Sequence, residues 1–152
     1  MKQDLGFIIL KTNNTQMYDA IFESIKSIID SNPYNQICIF NSYNEKVHTN
    51  NIPILHINQA KFFYGNLVVF DSLSLMMAKN FPNVNKIFFF VSDSIWSNQS
   101  YSRYQNIKEM FETKNLEFIA SNDQISEVYD LCWKKPICIS RNLNHESIKN
   151  IL

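Results

Sequence analysis

Residues Ile87-Phe88-Phe89-Phe90-Val91-Ser92-Asp93-Ser94-Ile95-Trp96 pass from a solidly apolar run into a small cluster of hydroxyls and a carboxylate, and then into a tryptophan. The apolar run lacks the alternation of a strand that is wet on one side. It reads as a strand covered on both faces, which is the situation of a parallel sheet between helical layers. Ser92-Asp93-Ser94 is then the place where that strand leaves the sheet.

Runs of the same kind recur at Phe7–Leu10, Ile37–Phe40, Leu67–Phe70, Leu116–Ala120 and Ile137–Ile139. Between most of them lie helical stripes: Met17, Ile21, Ile25, Ile28; Leu73, Met76, Met77; Tyr104, Ile107, Phe111; Ile125, Val128, Tyr129, Cys132; and Ile148, Ile151, Leu152. Ile25 and Val128 are central on their stripes and are expected to be buried against the sheet. Ser121-Asn122-Asp123-Gln124 reads as an S-x-x-Q capping box, with Lys134-Lys135-Pro136 closing the helix that it opens. Between Asn41 and Asn66 only Ile52–Ile57 looks strand-like, and Gln59–Tyr64 fits neither pattern. The alternation predicts a single α/β domain over residues 1–152, three-layered, doubly wound and Rossmann-like, with about six or seven mostly parallel strands.

The 152 residues are 45% hydrophobic and 14% aromatic, enough for one core and too few for two ordinary domains. Fourteen basic residues balance fourteen acidic ones, so no nucleic-acid partner is expected. The opening MKQDLGFIIL is too short in apolar residues for a signal peptide, and no stretch approaches the ~20 apolar residues of a membrane span, so the expectation is a cytoplasmic protein without membrane contact. Cys38 and Cys138 lie in apolar runs and Cys132 on a helix stripe, which predicts three reduced, buried thiols.

Gly6 and Gly65 are the only glycines. Neither a G-x-G-x-x-G loop nor a P-loop can be written, which excludes a standard dinucleotide or Walker-type phosphate site. Cys38, His48, His56, Cys132, Cys138 and His145 contain no metal-ligand spacing, so no metal is expected. There is no G-x-S-x-G elbow, no catalytic residue is assignable, and the reading leans away from an enzyme.

Each strand is followed by polar residues: Lys11-Thr12-Asn13-Asn14-Thr15, Asn41-Ser42, Asp71-Ser72, Ser92-Asp93-Ser94, Ser121-Asn122 and Arg141-Asn142. In a parallel sheet these gather along one edge, where open α/β folds place ligands. Thr12, Asn13, Asp71, Asp93 and Arg141 are the ligand-binding candidates. The same edge is where helices need N-caps, so capping competes with binding at each of them except Arg141, which is not a capping type.

The segment NLEFIASNDQISEVYDLCWKKPICISRNLNHESIKNIL resembles the end of the N-terminal half of GT-B-fold glycosyltransferases. A strand ends in Ser or Asn, a helix follows, and a short strand leads to the place of a P-N-G-V-D type segment, taken here by Arg141-Asn142-Leu143-Asn144 without the proline and glycine. That resemblance implies a lone N-terminal half: a noncatalytic ligand- or partner-binding domain without the donor site that the family's second half supplies. A second likeness, to flavodoxin-type domains, places a phosphate loop at Thr12-Asn13-Asn14-Thr15, with Trp96 and Tyr101 as ring-stacking residues. It implies the alternative, a small enzyme or carrier of a flavin or nucleotide-like ligand, although the glycine of that family's loop is missing. The cofactor is therefore unassigned. Phe62-Phe63-Tyr64, Trp96, Tyr101 and Tyr104 read either as core or as a partner surface, the latter predicting a symmetric homodimer.

Overall fold

The structure, a computed structural model, describes residues 4–10, 15–31, 36–42, 52–97, 99–143 and 146–147, with side chains of the first helix described from residue 19. Thr12, Asn13, Asn14, the Met17 side chain and the stripe Ile148, Ile151, Leu152 lie outside the described residues.

The chain order is β1 (Leu5–Ile8), α1 (Thr15–Asp30), β2 (Ile37–Asn41), β3 (Ile54–His56), a 3₁₀ turn (Ile57–Phe62), β4 (Gly65–Val69), α2 (Ser72–Ala78), β5 (Val84–Val91), α3 (Tyr101–Phe111), β6 (Leu116–Ala120), α4 (Asp123–Cys132) and β7 (Cys138–Ile139). The strands form one sheet in the order β3-β2-β1-β4-β5-β6-β7, and every pairing is parallel. The fold is thus a three-layer, Rossmann-like α/β architecture. Its winding reverses between β1 and β4, and the carboxyl ends of those strands flank the crevice where such sheets receive ligands.

Alternation along each strand divides the core in two. Ile8, Leu67, Val69, Ile87, Phe89, Val91, Leu116, Phe118 and Ala120 point to one face and meet Leu75, Ile107, Met110, Phe111 and Tyr129 of α2, α3 and α4. Leu5, Phe7, Val68, Phe88 and Ile119 point to the other and meet Ile21, Ile25 and Ile28 of α1, together with Leu143. Each fully buried side chain of this size is worth about 1.5–3 kcal/mol relative to exposure, so two apolar faces on one sheet commit it to helices on both sides. This explains why FFFV carries no polar residue.

Ile25 is fully buried, as its central place on the α1 stripe predicts. Val128 is only half-buried, and Tyr129 takes its place. The reason is size: the Tyr129 ring fits between Trp96 (ring centroids 4.8 Å apart) and Phe118 (4.9 Å), and its hydroxyl donates to the Asp93 carbonyl at 3.2 Å. That fit turns α4 so that Val128 sits at the rim. Cys132 is exposed, not buried, because Trp133 is the residue that turns inward, 5.0 Å from Phe111 and 5.6 Å from Trp96.

The α4 cap is one residue later than the S-x-x-Q pattern indicates. Asn122 is the N-cap, accepting from the Ile125 N–H at 2.9 Å, while the Ser121 hydroxyl accepts from the Asn122 side-chain amide at 3.2 Å. Lys134 directly follows the end of α4, as the sequence indicates, and its N–H donates to the Tyr129 carbonyl at 3.0 Å. Its ammonium donates to the Leu116 carbonyl at 3.0 Å and pairs with Glu117 at 2.6 Å, tying the α4 exit to β6.

Candidate functional site

The capping and binding readings separate residue by residue. Asp71 is the N-cap of α2: one carboxylate oxygen accepts from the Ser74 N–H at 2.8 Å and the other from the Ser74 hydroxyl at 2.7 Å. Both of its oxygens are therefore engaged in starting the helix. Asp93 does no such work. It is exposed, its carboxylate accepts no hydrogen bond from the described residues, and its contribution is the backbone carbonyl that receives Tyr129. The turn after β5 closes instead through Ser94 and Ser97, with hydroxyls 3.0 Å apart and the Ser97 hydroxyl donating to the Ser94 carbonyl at 2.8 Å.

Asp71 and Asp93 follow adjacent strands, but Arg141 does not join them. It follows β7, three strands from β4, a lateral distance of ~14 Å at the ~4.8 Å strand spacing. It lines an enclosure of about 70 Å³ on the α1 face with Ala20, Ile21, Ser24, Phe90, Asn142 and Leu143. There the Ser24 hydroxyl donates to the Asn142 carbonyl, and Leu143 enters the core with φ of +45°. The enclosure is well below the ~300 Å³ at which small-molecule pockets begin.

A larger cleft opens on the other face, between the start of α2 and the length of α3. Its volume is about 320 Å³, and it is lined by Ser72, Ile95, Gln99, Arg103, Asn106, Ile107 and Met110. Ile107 and Met110 belong to the core and form an apolar wall, whereas Ser72, Gln99, Arg103 and Asn106 are exposed and present a hydroxyl, two amides and a guanidinium. Arg103, Asn106, Ile107 and Met110 are spaced i, i+3, i+4 and i+7, so one stripe of α3 supplies most of the lining. Among the described residues, Arg103 has no carboxylate partner; the ion pairs there are Lys108–Glu112 and Lys134–Glu117.

The loop that forms the cleft's outer wall is anchored from behind. Trp96 packs edge-on against Phe111 at 6.1 Å, Tyr129 at 4.8 Å and Trp133 at 5.6 Å, which holds its neighbour Ile95 in place. Trp96 is thus packing, not a stacking platform for a flavin ring, whereas Tyr101 is exposed. Of the remaining aromatics, Phe63 packs edge-on against Phe40 at 5.4 Å, and Phe62 and Tyr64 are exposed.

None of the cleft residues was among the sequence candidates. The spacing on α3 was a readable signal, but two exposed polar residues on a helix stripe look the same in sequence as an ordinary solvated face. Compared with models of protein families and with curated proteins, the chain matches none.

Proposed function

We propose that this is a noncatalytic, small-molecule-binding α/β domain, comparable to the N-terminal half of a GT-B glycosyltransferase, whose ligand sits in the α2–α3 cleft at the carboxyl edge of the sheet. The observation that carries this reading is the cleft itself. It is ligand-sized, it lies where parallel sheets present their loops, and it combines a buried apolar wall with convergent polar groups. Its chemistry favours holding over transforming. Ser72, Gln99 and Asn106 donate and accept hydrogen bonds, Arg103 donates them, and the described lining residues include no carboxylate, imidazole or thiol to move a proton or attack a substrate.

A ligand screen followed by thermal unfolding tests it. A ligand at one hundred times its Kd adds about 2.7 kcal/mol of stability. A cleft-blocking variant, Asn106→Trp, should abolish that shift while folding normally, since Asn106 is exposed. Ligands that stabilise the parent and the blocked variant equally sink the proposal.

The flavin or nucleotide carrier keeps one distinct expectation, flavin absorbance in protein purified without added cofactor. Its phosphate would be held at Thr12 and Asn13.

A further inference from the structure

We infer that the α2–α3 cleft selects a small hydroxylated anion, a polyol bearing one carboxylate or phosphomonoester group. The inference rests on the cleft being the binding site. It follows from the balance of charge and hydrogen-bonding types in the lining. Arg103 contributes a single positive charge that no described carboxylate neutralises, and its planar fork of donors matches a carboxylate or phosphate. Among the described lining residues none is acidic, and the nearby Asp71 carboxylate is held by Ser74, so the lining itself favours an anion over a cation.

Gln99 and Asn106 each present a carbonyl oxygen and an NH₂, and Ser72 a hydroxyl. Groups that both donate and accept suit ligand hydroxyls, which do the same. Ile95, Ile107 and Met110 supply the surface against which the C–H face of a ring can lie. Arg103 and Asn106 stand one turn apart on α3, so an anionic group and a neighbouring hydroxyl can be met together from one helix. At about 320 Å³, the cleft has room for one ring with its anionic group.

The test follows the methyl resonances of Met110, Ile95 and Ile107 in protein labelled at methionine and isoleucine methyls, titrated separately with glucuronate, glucose 1-phosphate, glucose and glucosamine. Glucuronate, glucose 1-phosphate or both should move these methyls saturably, and whichever is tighter identifies the anionic group. Glucose and glucosamine should bind at least tenfold more weakly. Arg103→Gln should weaken the anions at least tenfold and leave glucose unchanged, whereas Arg141→Gln, on the opposite face, should change nothing.

Equal or tighter binding of glucose or glucosamine, or anion binding indifferent to Arg103→Gln, overturns the ligand class and leaves the cleft standing as a site. If none of the four moves the methyls, the class falls as well. A mixed set of neutral and cationic fragments then decides the cleft: movement of the same methyls preserves it, and silence removes both readings.

Discussion

Asp71 and Asp93 are the same residue type after neighbouring strands, yet they have opposite energetic roles. Asp71→Ala removes both acceptors from Ser74, one of them satisfying a free N–H of α2, and should cost ~1 kcal/mol in urea unfolding. Asp93→Ala and Asp93→Asn should each stay within ~0.5 kcal/mol of the parent, because the hydrogen bond at this position runs through the main chain and survives both changes. A loss near 1 kcal/mol in Asp93→Ala would show a capping contact after all.

The thiols divide in the same way. Burial, aided by the negative charge of Asp4, pushes the Cys38 thiol up to about 12, and burial also raises Cys138. Such groups keep their proton in the folded state while the unfolded chain releases it near pH 9. For Cys38 the contribution to stability is therefore complete below pH 9 and is lost as pH rises towards 12, at up to ~1.4 kcal/mol per pH unit, and the raised Cys138 thiol acts in the same direction. Urea unfolding between pH 8 and 11 should show this decline, and Cys38→Ala should make it shallower. A slope unchanged by Cys38→Ala would contradict the burial. With a disulfide-forming reagent at neutral pH, exposed Cys132 should react first and Cys38 only on unfolding.

Among the elements, the Ile87–Val91 part of β5 was legible in sequence because burial on both faces leaves an unbroken apolar run. The edges were harder. β7 has two residues and β3 three, and edge strands of that length leave little periodicity to read. Caps were legible as a residue class, but their register was not, since Ser121 and Asn122 are both capping types and only the φ/ψ of the turn selects Asn122. The start of β4 was missed for a further reason. Gly65 has φ of +143° at a register shift beside β5, and a Cβ there would run into the Asp4 backbone. Gly65→Ala should therefore cost at least ~1–3 kcal/mol, through backbone strain in addition to collision with β1's approach. An unchanged denaturation midpoint would show that β4 begins differently. Asp4 also accepts from the Asn66 N–H at 2.9 Å, so the loss should be felt in the β1–β4 pairing at the centre of the sheet.

For the molecule as a whole, the strand order is the one that dinucleotide-binding domains use, but the chain has no glycine-rich loop to exploit it. The spacing on α3 was the one trace of the α2–α3 cleft in the sequence, because the polar residues of the cleft come from three separate segments and converge only through tertiary packing. That packing makes the cleft depend on the aromatic seam behind it. Trp96→Ala should remove ~3 kcal/mol of stability, and it should weaken cleft ligands even when the variant is assayed well below its melting temperature. Full affinity in the folded variant would mean that the loop is held by its own turn.

The seam also gives the protein an optical identity. Its two tryptophans, Trp96 and Trp133, stand 5.6 Å apart with ring planes at 76°, so all indole emission arises from one place. Near-ultraviolet circular dichroism should carry a strong signature of this fixed aromatic pair. Tryptophan fluorescence will therefore report the seating of the loop between β5 and α3 before it reports the melting of the sheet, and an unfolding curve followed by emission should lead the curve followed by backbone ellipticity wherever that loop releases first.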